Sequence, residues 1–471
     1  MPEPHPHTSP NPAEALDFRP FRLGDRPLYE QYRPAGGRVC DHSFANLFAW
    51  QEAYGNQWAL CGDRLVVRSR PAWSGALSQY MVLPDICSPQ LPLILQRILE
   101  DAAARPCRLA RLSEEEKRFL EERFPDTFLF DNHRDTMDYL YDADAFRTFK
   151  GRKLAAKRNH VNRFKSLYDY RYEPLRPDLF GECMRLYRLW RSEQHGRMAM
   201  LGQEERVICN FFDCYGELGL TGGALFVGGT LAAFTFGSPL DDHTFDIQVE
   251  KADTRFEGVF PMVSQLFAQH LPPQYTVINR EEDLGLPGLR QSKLSYQPLR
   301  LEPKYTACWL DGDLRGIIRL WREAFNDEEW LIRLFLARYY RPDWTFLRRE
   351  AERVVAQCLY IPCDSAAGRV GYLYAIATAD GWRGRGLAAQ VVEEAIAFAR
   401  AQGMDAVALI PEDDGLKRYY ARFGFEPWQF PMRFTSDFDL GTGDPARDIP
   451  MVLQLRDIRL PDGEWECTPE G

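Results

Sequence analysis

Long apolar runs are missing from this chain of 471 residues: no segment approaches the roughly 20 apolar residues that a bilayer-spanning helix needs. An excess of positive charge is missing too. The formal net charge of −10 argues against a protein that coats nucleic acid nonspecifically, while leaving room for a local basic patch. Low-complexity tracts and short-period repeats are absent, so domain boundaries must be read from changes of pattern. The eleven cysteines are scattered and odd in number, and neither Cys209 with Cys214 nor Cys358 with Cys363 has a metal-ligand spacing. Reduced thiols in a cytoplasm, and no metal, are expected. The first residues, MPEPHPHTSPNPAEA, have neither a basic start nor an apolar run, so neither a secretory signal nor a membrane anchor is expected there. His5 and His7 fit a solvated tail.

What is present is a globular composition, 45% hydrophobic, 13% aromatic and 27% charged, in a length that calls for several cores. The pattern changes near 130–146 and again near 298–306, where PLRLEPKYT reads as an extended linker. This divides the chain into a tail at 1–15 and blocks at 16–145, 146–303 and 304–471. In the first block Asp41 or Ser43 can cap a helix carrying Phe44, Leu47 and Phe48, followed by strands at QWALCGDRLVVRS and LSQYMVLP. The second holds a basic helix, a helix at CMRLYRLWRSEQ, a hairpin at GGALFVGGTLAAFTFGSPL and a strand at YTVIN. The third alternates helices and strands in an order that specifies an α/β architecture.

In that third block a strand ending at Thr378 runs into ADGWRGRGLAAQVVEEAIAFARAQG, a glycine-rich turn opening a helix whose Leu387, Val391, Ala395 and Phe398 form one apolar stripe. Gly384 and Gly386 let the backbone approach a ligand, and the first amides of the helix, at Leu387 and Ala388, point outward with the positive end of its dipole. Such a turn suits a pyrophosphate, with Arg383 and Arg385 adding charge-assisted bonds to a cofactor that also carries a 3′-phosphate. RGRGLA resembles a signature of the GNAT acetyltransferases at Arg383, Gly386 and Ala388. LKRYYARFGF is similar to their second signature, with Tyr420 four residues before Gly424 and Phe425. Asp380 departs from the pattern, where family members often carry proline. The resemblance implies acetyl-CoA as cosubstrate, a strand end Ile376–Ala377–Thr378 bonded to the pantetheine arm and polarising the thioester carbonyl, and Tyr420 as proton donor to the leaving thiolate. A buried core tyrosine would show the same spacing. An amine nucleophile needs a base, for which Glu412 is the best placed carboxylate in sequence, with Asp380, Asp413 or a water chain as alternatives.

Two clusters stand out earlier. RTFKGRKLAAKRNHVNRFK carries eight cations and no acid, and at helical spacing Lys150, Lys153, Lys157 and His160 share a face; with Arg158 they suit a phosphate-bearing substrate or a solvated surface. INREEDLGLPGLRQSKLSY groups Asn279, Glu281, Glu282 and Asp283 with Arg290 and Lys293 around a glycine-rich bend. The carboxylates suit a divalent ion or an amino group, and Arg290 and Lys293 suit phosphate or carboxylate; a salt-bridged structural turn is the alternative.

Taken with CDHSFANLFAW and DYLYDADAFRTF, these motifs resemble the C-terminal part of phosphatidylglycerol lysyltransferases over roughly 16–303. That resemblance implies two tandem GNAT-like folds, related to enzymes that move an aminoacyl group from charged tRNA. The chain would then be three such folds in series, with mixed central sheets flanked by helices. The expected function is acetyl-CoA-dependent N-acylation of a primary amine on a small soluble molecule or peptide, without a membrane span. The alternatives are aminoacyl transfer from tRNA docked at the basic helix, or a non-catalytic CoA sensor.

Overall fold

The computed structural model describes residues 15–36, 39–71, 77–103, 107–192, 198–365, 368–435, 438, 440, 449–456 and 465–469, with backbone alone at 198–202. Nearly all of the expected tail, His5 and His7 included, lies outside these residues. The chain forms two compact units, one of residues 1–74, 78–122 and 132–306, the other of 75–77, 123–131 and 307–471. Among the described residues no helix is long and apolar enough to cross a membrane.

Unit 1 contains two sheets. In the first, strands Arg19–Pro20, Gln57–Cys61, Arg64–Ser69 and Ser78–Leu83 are antiparallel neighbours, and Cys107–Leu112 joins parallel to the last. Helix Leu91–Ala102 makes that parallel connection, burying Leu91, Ile94, Leu95 and Ile98, an i, i+3, i+4, i+7 stripe. The second sheet runs Arg300–Glu302, Asp138–Asp142, Val277–Asn279, Thr244–Ala252, Thr230–Pro239, Thr221–Val227, Tyr170–Pro174. Its hairpin turns on Gly228 and Gly229, both at positive φ (54° and 81°), the two-residue geometry that only glycine adopts without strain. One core joins the two sheets, with Trp58, Val67 and Met81 from the first packed with Phe226, Phe234 and Phe236 from the second. Ser43, not Asp41, caps helix Phe44–Ala49 by accepting from the Asn46 amide.

The segment at 298–306 is not a free linker. It forms strand Arg300–Glu302 and leads into Tyr305–Trp309, with Lys304 buried between them. The basic helix is also shorter than its charge run: it begins at Ala155 and ends at Leu167, so Lys150 and Lys153 precede it and do not share its face.

Unit 2 is built on one mixed sheet. Thr345–Glu350, Arg353–Ser365 and Gly368–Thr378 are antiparallel, Ala406–Leu409 is parallel to the third, and Met451–Gln454 returns antiparallel beside it. Helices Gly312–Phe325 and Glu329–Tyr339 cover one face through Ile317, Trp321 and Phe335, and helix Leu387–Ala401 covers the other through Val391, Val392 and Ala395. Residues 123–131 belong to this unit: Leu129 lies in its core, and Asp131 pairs with buried Arg338 at 2.8 Å.

Candidate functional sites in the two units

In unit 2 the strand Gly368–Thr378 pairs with Ala406–Leu409 only from Val370 to Tyr372, then runs on to Thr378 without that neighbour. One edge of the strand end, carrying Ile376, Ala377 and Thr378, is thereby released from the ladder. A short 3-10 turn, Asp380–Trp382, leads to Gly384 and Gly386, both at φ 77°. Gly386 is the N-cap of helix Leu387–Ala401 and no side chain caps the helix, so its leading amides, including those of Leu387 and Ala388, keep their donor capacity. A Cβ built on either glycine meets nothing within 4 Å. Glycine is required here by the dihedral angle, and the space above the turn is open.

The two arginines fold back on this turn. Arg383, with 66% of its side chain exposed, pairs with Asp380 at 3.0 Å, and Arg385 lies over the Trp382 ring at 4.4 Å while donating to the Gly381 carbonyl. Exposed pairs of this kind contribute about 0–1 kcal/mol, so a doubly charged phosphate can displace them. Tyr420 is buried on helix Asp414–Ala421 among Cys358, Val391 and Phe425. Burial pushes its hydroxyl pKa well up, which keeps the proton on the oxygen. Of the carboxylates weighed as base, Asp413 is engaged as the cap of that helix, accepting from the Leu416 amide at 2.7 Å, and Asp380 faces Arg383. Glu412 is exposed, one residue before the cap.

In unit 1 a cleft of about 1110 Å³ is lined by Asn46, Lys157, Arg280, Glu281, Glu282 and Lys293, among others. At its base lies Lys304, 6% exposed, whose Nζ stands 2.6 Å from Asp138 Oδ1, 2.7 Å from Asp41 Oδ2, 3.2 Å from Glu282 Oε2 and 3.4 Å from Cys40 Sγ. Burial opposes its charge, but Asp138 and Asp41 outweigh burial and hold the ammonium well above the ordinary lysine pKa. Cys40, Asp138 and Glu282 are the one metal-type donor set among the described residues, and this ammonium contacts all three. Asn46 binds two more carboxylates together, donating to Asp246 Oδ2 at 3.2 Å and Glu281 Oε1 at 3.1 Å. Burial first, then mutual repulsion with Asp138, Asp246 and Glu282, drives Asp246 and Glu281 far above the usual carboxylate range. Asp246 Oδ1 and Gln248 Oε1 are buried with no hydrogen-bond partner.

Several residues expected to bind substrate are instead engaged by the protein. Asn279 donates to Asp138 Oδ2 at 2.8 Å and accepts from the Glu281 amide at 2.6 Å, using both ends of its side chain. Arg290 forks onto buried Asp283 at 2.9 and 3.0 Å and reaches Asp135 as well, so the salt-bridged turn prevails over an anion site. Lys293 gives its three protons to the carbonyls of Arg280, Glu281 and Glu282. Arg158 donates to the carbonyls of Phe149 and Gly151, tying down the loop that carries exposed Lys153. Lys157 does face the cleft: its Nζ sits 3.8 Å over the Tyr296 ring, and burial, helped by Arg280, lowers its pKa to about 8. The residues that sequence reading missed are Lys304, Asp138, Asn46, Asp246 and Arg280: Asn46, Asp138 and Arg280 lie inside the quoted motifs without being singled out, Lys304 lies in the stretch read as a linker, and Asp246 lies in no motif.

The first block of these features has a counterpart in known proteins. Residues 33–308, more than half of the chain, match the family model described as phosphatidylglycerol lysyltransferase, C-terminal. The chain belongs to that family. Its lysyltransferase-type domain is followed by a second match, residues 314–425 to the acetyltransferase (GNAT) family, which contains Arg383, Gly386 and Tyr420. Both domains are of acyltransferase type, which makes the chain an acyltransferase. A conserved protein of unknown function from Bacteroides thetaiotaomicron is 38% identical at a TM-score of 0.58, covering 62% of this chain and 99% of that one. L-PGS from Bacillus licheniformis is 15% identical at 0.45, covering 63% and 93%. A GNAT-family N-acetyltransferase from Escherichia coli, solved with CoA, is 23% identical at 0.24, covering 32% and 82%. No curated protein matches the chain.

Proposed function

We propose that unit 2 transfers an acyl group, acetyl in the simplest case, from coenzyme A to a primary amine. The observation that carries this reading is the open turn at Gly384 and Gly386, which sets an uncapped helix N-terminus beside a strand end freed from its parallel neighbour. Oriented amides and a helix dipole favour pyrophosphate, and Arg383 and Arg385 supply cations for the remaining phosphate charge. Acetyl-CoA brings the activated thioester carbonyl. Ile376 to Thr378 align the pantetheine arm along the released strand edge, and an oriented backbone amide there stabilises negative charge on the carbonyl oxygen. Tyr420, held protonated by burial, delivers its proton to the departing sulfur; Glu412 takes one proton from the incoming ammonium, and the second proton that the nitrogen sheds as the amide forms returns to the Tyr420 oxygen. Isothermal titration of the full chain with acetyl-CoA tests the donor, followed by a screen of amines for thiol release. No heat of binding at millimolar acetyl-CoA would end this reading.

A second reading concerns unit 1, and the cleft favours it. Glu281 lines the cleft, and Asn46 ties it to Asp246, which is fully buried. Neither carboxyl forms an ion pair among the described residues, and burial keeps a proton there that an entering ammonium group, as on an aminoacyl ester, would displace. Family members are named for moving a lysyl group, which carries such an ammonium. We infer that unit 1 receives an aminoacyl group from tRNA, with Lys153 and Lys157 near the phosphates. Activity in lysate fractions that survives ribonuclease removes the tRNA.

A further inference from the structure

Gln357 lies on strand Arg353–Ser365, fully buried, and belongs to neither the turn nor the tyrosine motif. Its Nε2 donates to the Ala375 carbonyl at 3.3 Å, while its Oε1 is buried with no hydrogen-bond partner. An orphaned buried carbonyl is destabilising, and a packed apolar side chain of the same length would avoid it. Its contact is with an irregular point of the sheet. Gln357 pairs with Ala377 and Leu359 with Tyr374, so Ala375 and Ile376 together oppose the single residue Cys358. Ala375 is held at φ 48°, in the left-handed region that alanine disfavours. A two-for-one bulge of this kind re-aims the backbone next to a site. It falls where the strand has already lost its parallel neighbour, three residues past Tyr372.

The peptide group joining Ala375 to Ile376 is planar and trans, so holding the Ala375 carbonyl also fixes the direction of the Ile376 N–H on the opposite edge of the plane. We propose that Gln357 is a positioning residue that sets this peptide plane so that the Ile376 amide donates to the thioester carbonyl oxygen. This rests on the reading of unit 2 as the acyl-CoA site and adds the group that fixes its carbonyl-polarising donor. An unpaired Oε1 and a strained alanine are retained together because both hold one peptide plane.

The test uses the full chain and acetyl-CoA labelled with carbon-13 at the carbonyl. Hydrogen-bond donation lowers the thioester carbonyl stretch, so difference infrared spectra of the bound cofactor report the donor without needing the acceptor amine. In the wild type the band should move to lower wavenumber on binding. In Gln357→Met at least half of that displacement should be lost, while the Kd for CoA changes less than threefold and the melting temperature stays close to that of the wild type, because removal of the orphaned Oε1 offsets the donor lost from the Ala375 carbonyl. A band displaced as in the wild type overturns the role of Gln357 but leaves the donor site intact. No binding of acetyl-CoA to the wild type overturns the donor reading and this inference with it. If Gln357→Met does not fold, the wild-type Ile376 amide proton decides: it should shift when acetyl-CoA replaces CoA, and an unmoved resonance overturns the proposal.

Discussion

Replacing Lys304 by methionine removes one ammonium from beneath the cleft and keeps the volume of the side chain. Of the three carboxylates it contacts, Asp41 retains a second cation, Arg111, whose Nε donates at 2.8 Å. Asp138 retains the Cys40 amide at 2.7 Å, the Cys40 thiol at 3.3 Å and the Asn279 side chain at 2.8 Å but no cation that contacts it among the described residues, and Glu282 loses its direct ion pair. Breaking a buried pair from one side is destabilising by about 3–5 kcal/mol, because the surviving charge stays buried. At about 2–4 °C per kcal/mol for a domain of this size class, the unit 1 transition should fall by roughly 10 °C near neutral pH. The sign with pH is fixed as well. Lys304 has a raised folded pKa, so its contribution is complete below the ordinary lysine value and is lost only at strongly alkaline pH. Glu282 has a lowered folded pKa, so its contribution is present above the ordinary carboxylate value and is lost as pH falls through the folded one. The gap between wild type and Lys304→Met must therefore be widest near pH 8 and narrow toward pH 4, where the stranded carboxylates protonate. Circular dichroism melts across that range give the measurement, and adding Asp138→Asn and Glu282→Gln should recover more than half of the loss at pH 8. A variant that melts within 2 °C of the wild type at pH 8 would refute the charge assignment of the whole cluster.

Three other outcomes follow from the same geometry. Gly386→Val should weaken acetyl-CoA binding by more than tenfold in titration, since a β-branched residue resists φ 77° and would project into the open space above the turn, while the melting temperature falls only modestly. Tyr420→Phe should reduce turnover by about 10² to 10⁴-fold with the Kd for acetyl-CoA unchanged; equal turnover would make Tyr420 a core residue alone. Lys157, followed by carbon-13 chemical shift of its terminal methylene, should titrate near pH 8. Because that value lies below the unfolded lysine pKa of about 10.4, this residue makes stability rise as pH increases between the two, and Tyr296→Leu should weaken the contact that seats it.

What could be read from the sequence was local. RGRGLA contains its own turn, cap position and helix start within a few residues, so glycine spacing and apolar periodicity place it without reference to the rest of the chain. Tyr420 was legible for the same reason, lying on the same short helix as the cap Asp413. The base of the unit 1 cleft was not legible, because Lys304 meets Cys40 across 264 positions and Glu282 across 22. In sequence Lys304 is one lysine beside a proline in an extended stretch, and nothing nearby requires its burial. The INREEDLG segment was legible as a charged bend but not in the use of its charges. Arg290, seven residues from Asp283, is captured by it, and the lysine three residues on is turned inward to the bend's own carbonyls.

Two glycines distinguish the helix N-termini of the two units. Gly258 caps helix Val259–His270 with φ 81° and ψ 9°, and Gly386 caps helix Leu387–Ala401 with φ 77° and ψ 5°; neither helix has a side-chain cap. Backbone angles alone would assign both turns to the same phosphate. The surroundings separate them: a Cβ on Gly258 would lie 2.4 Å from the His160 carbonyl, whereas one on Gly386 would meet nothing within 4 Å. The basic helix Ala155–Leu167 thus packs against the unit 1 turn, where its Arg163 pairs at 3.4 Å with Glu257, the residue before Gly258. A charge run that reads as an anion-binding surface is in part the means by which the chain closes one of its own helix ends. Of these two helix-capping glycines, the one in unit 1 is closed by the chain itself and the one in unit 2 stands open, which is what the proposed pyrophosphate site requires.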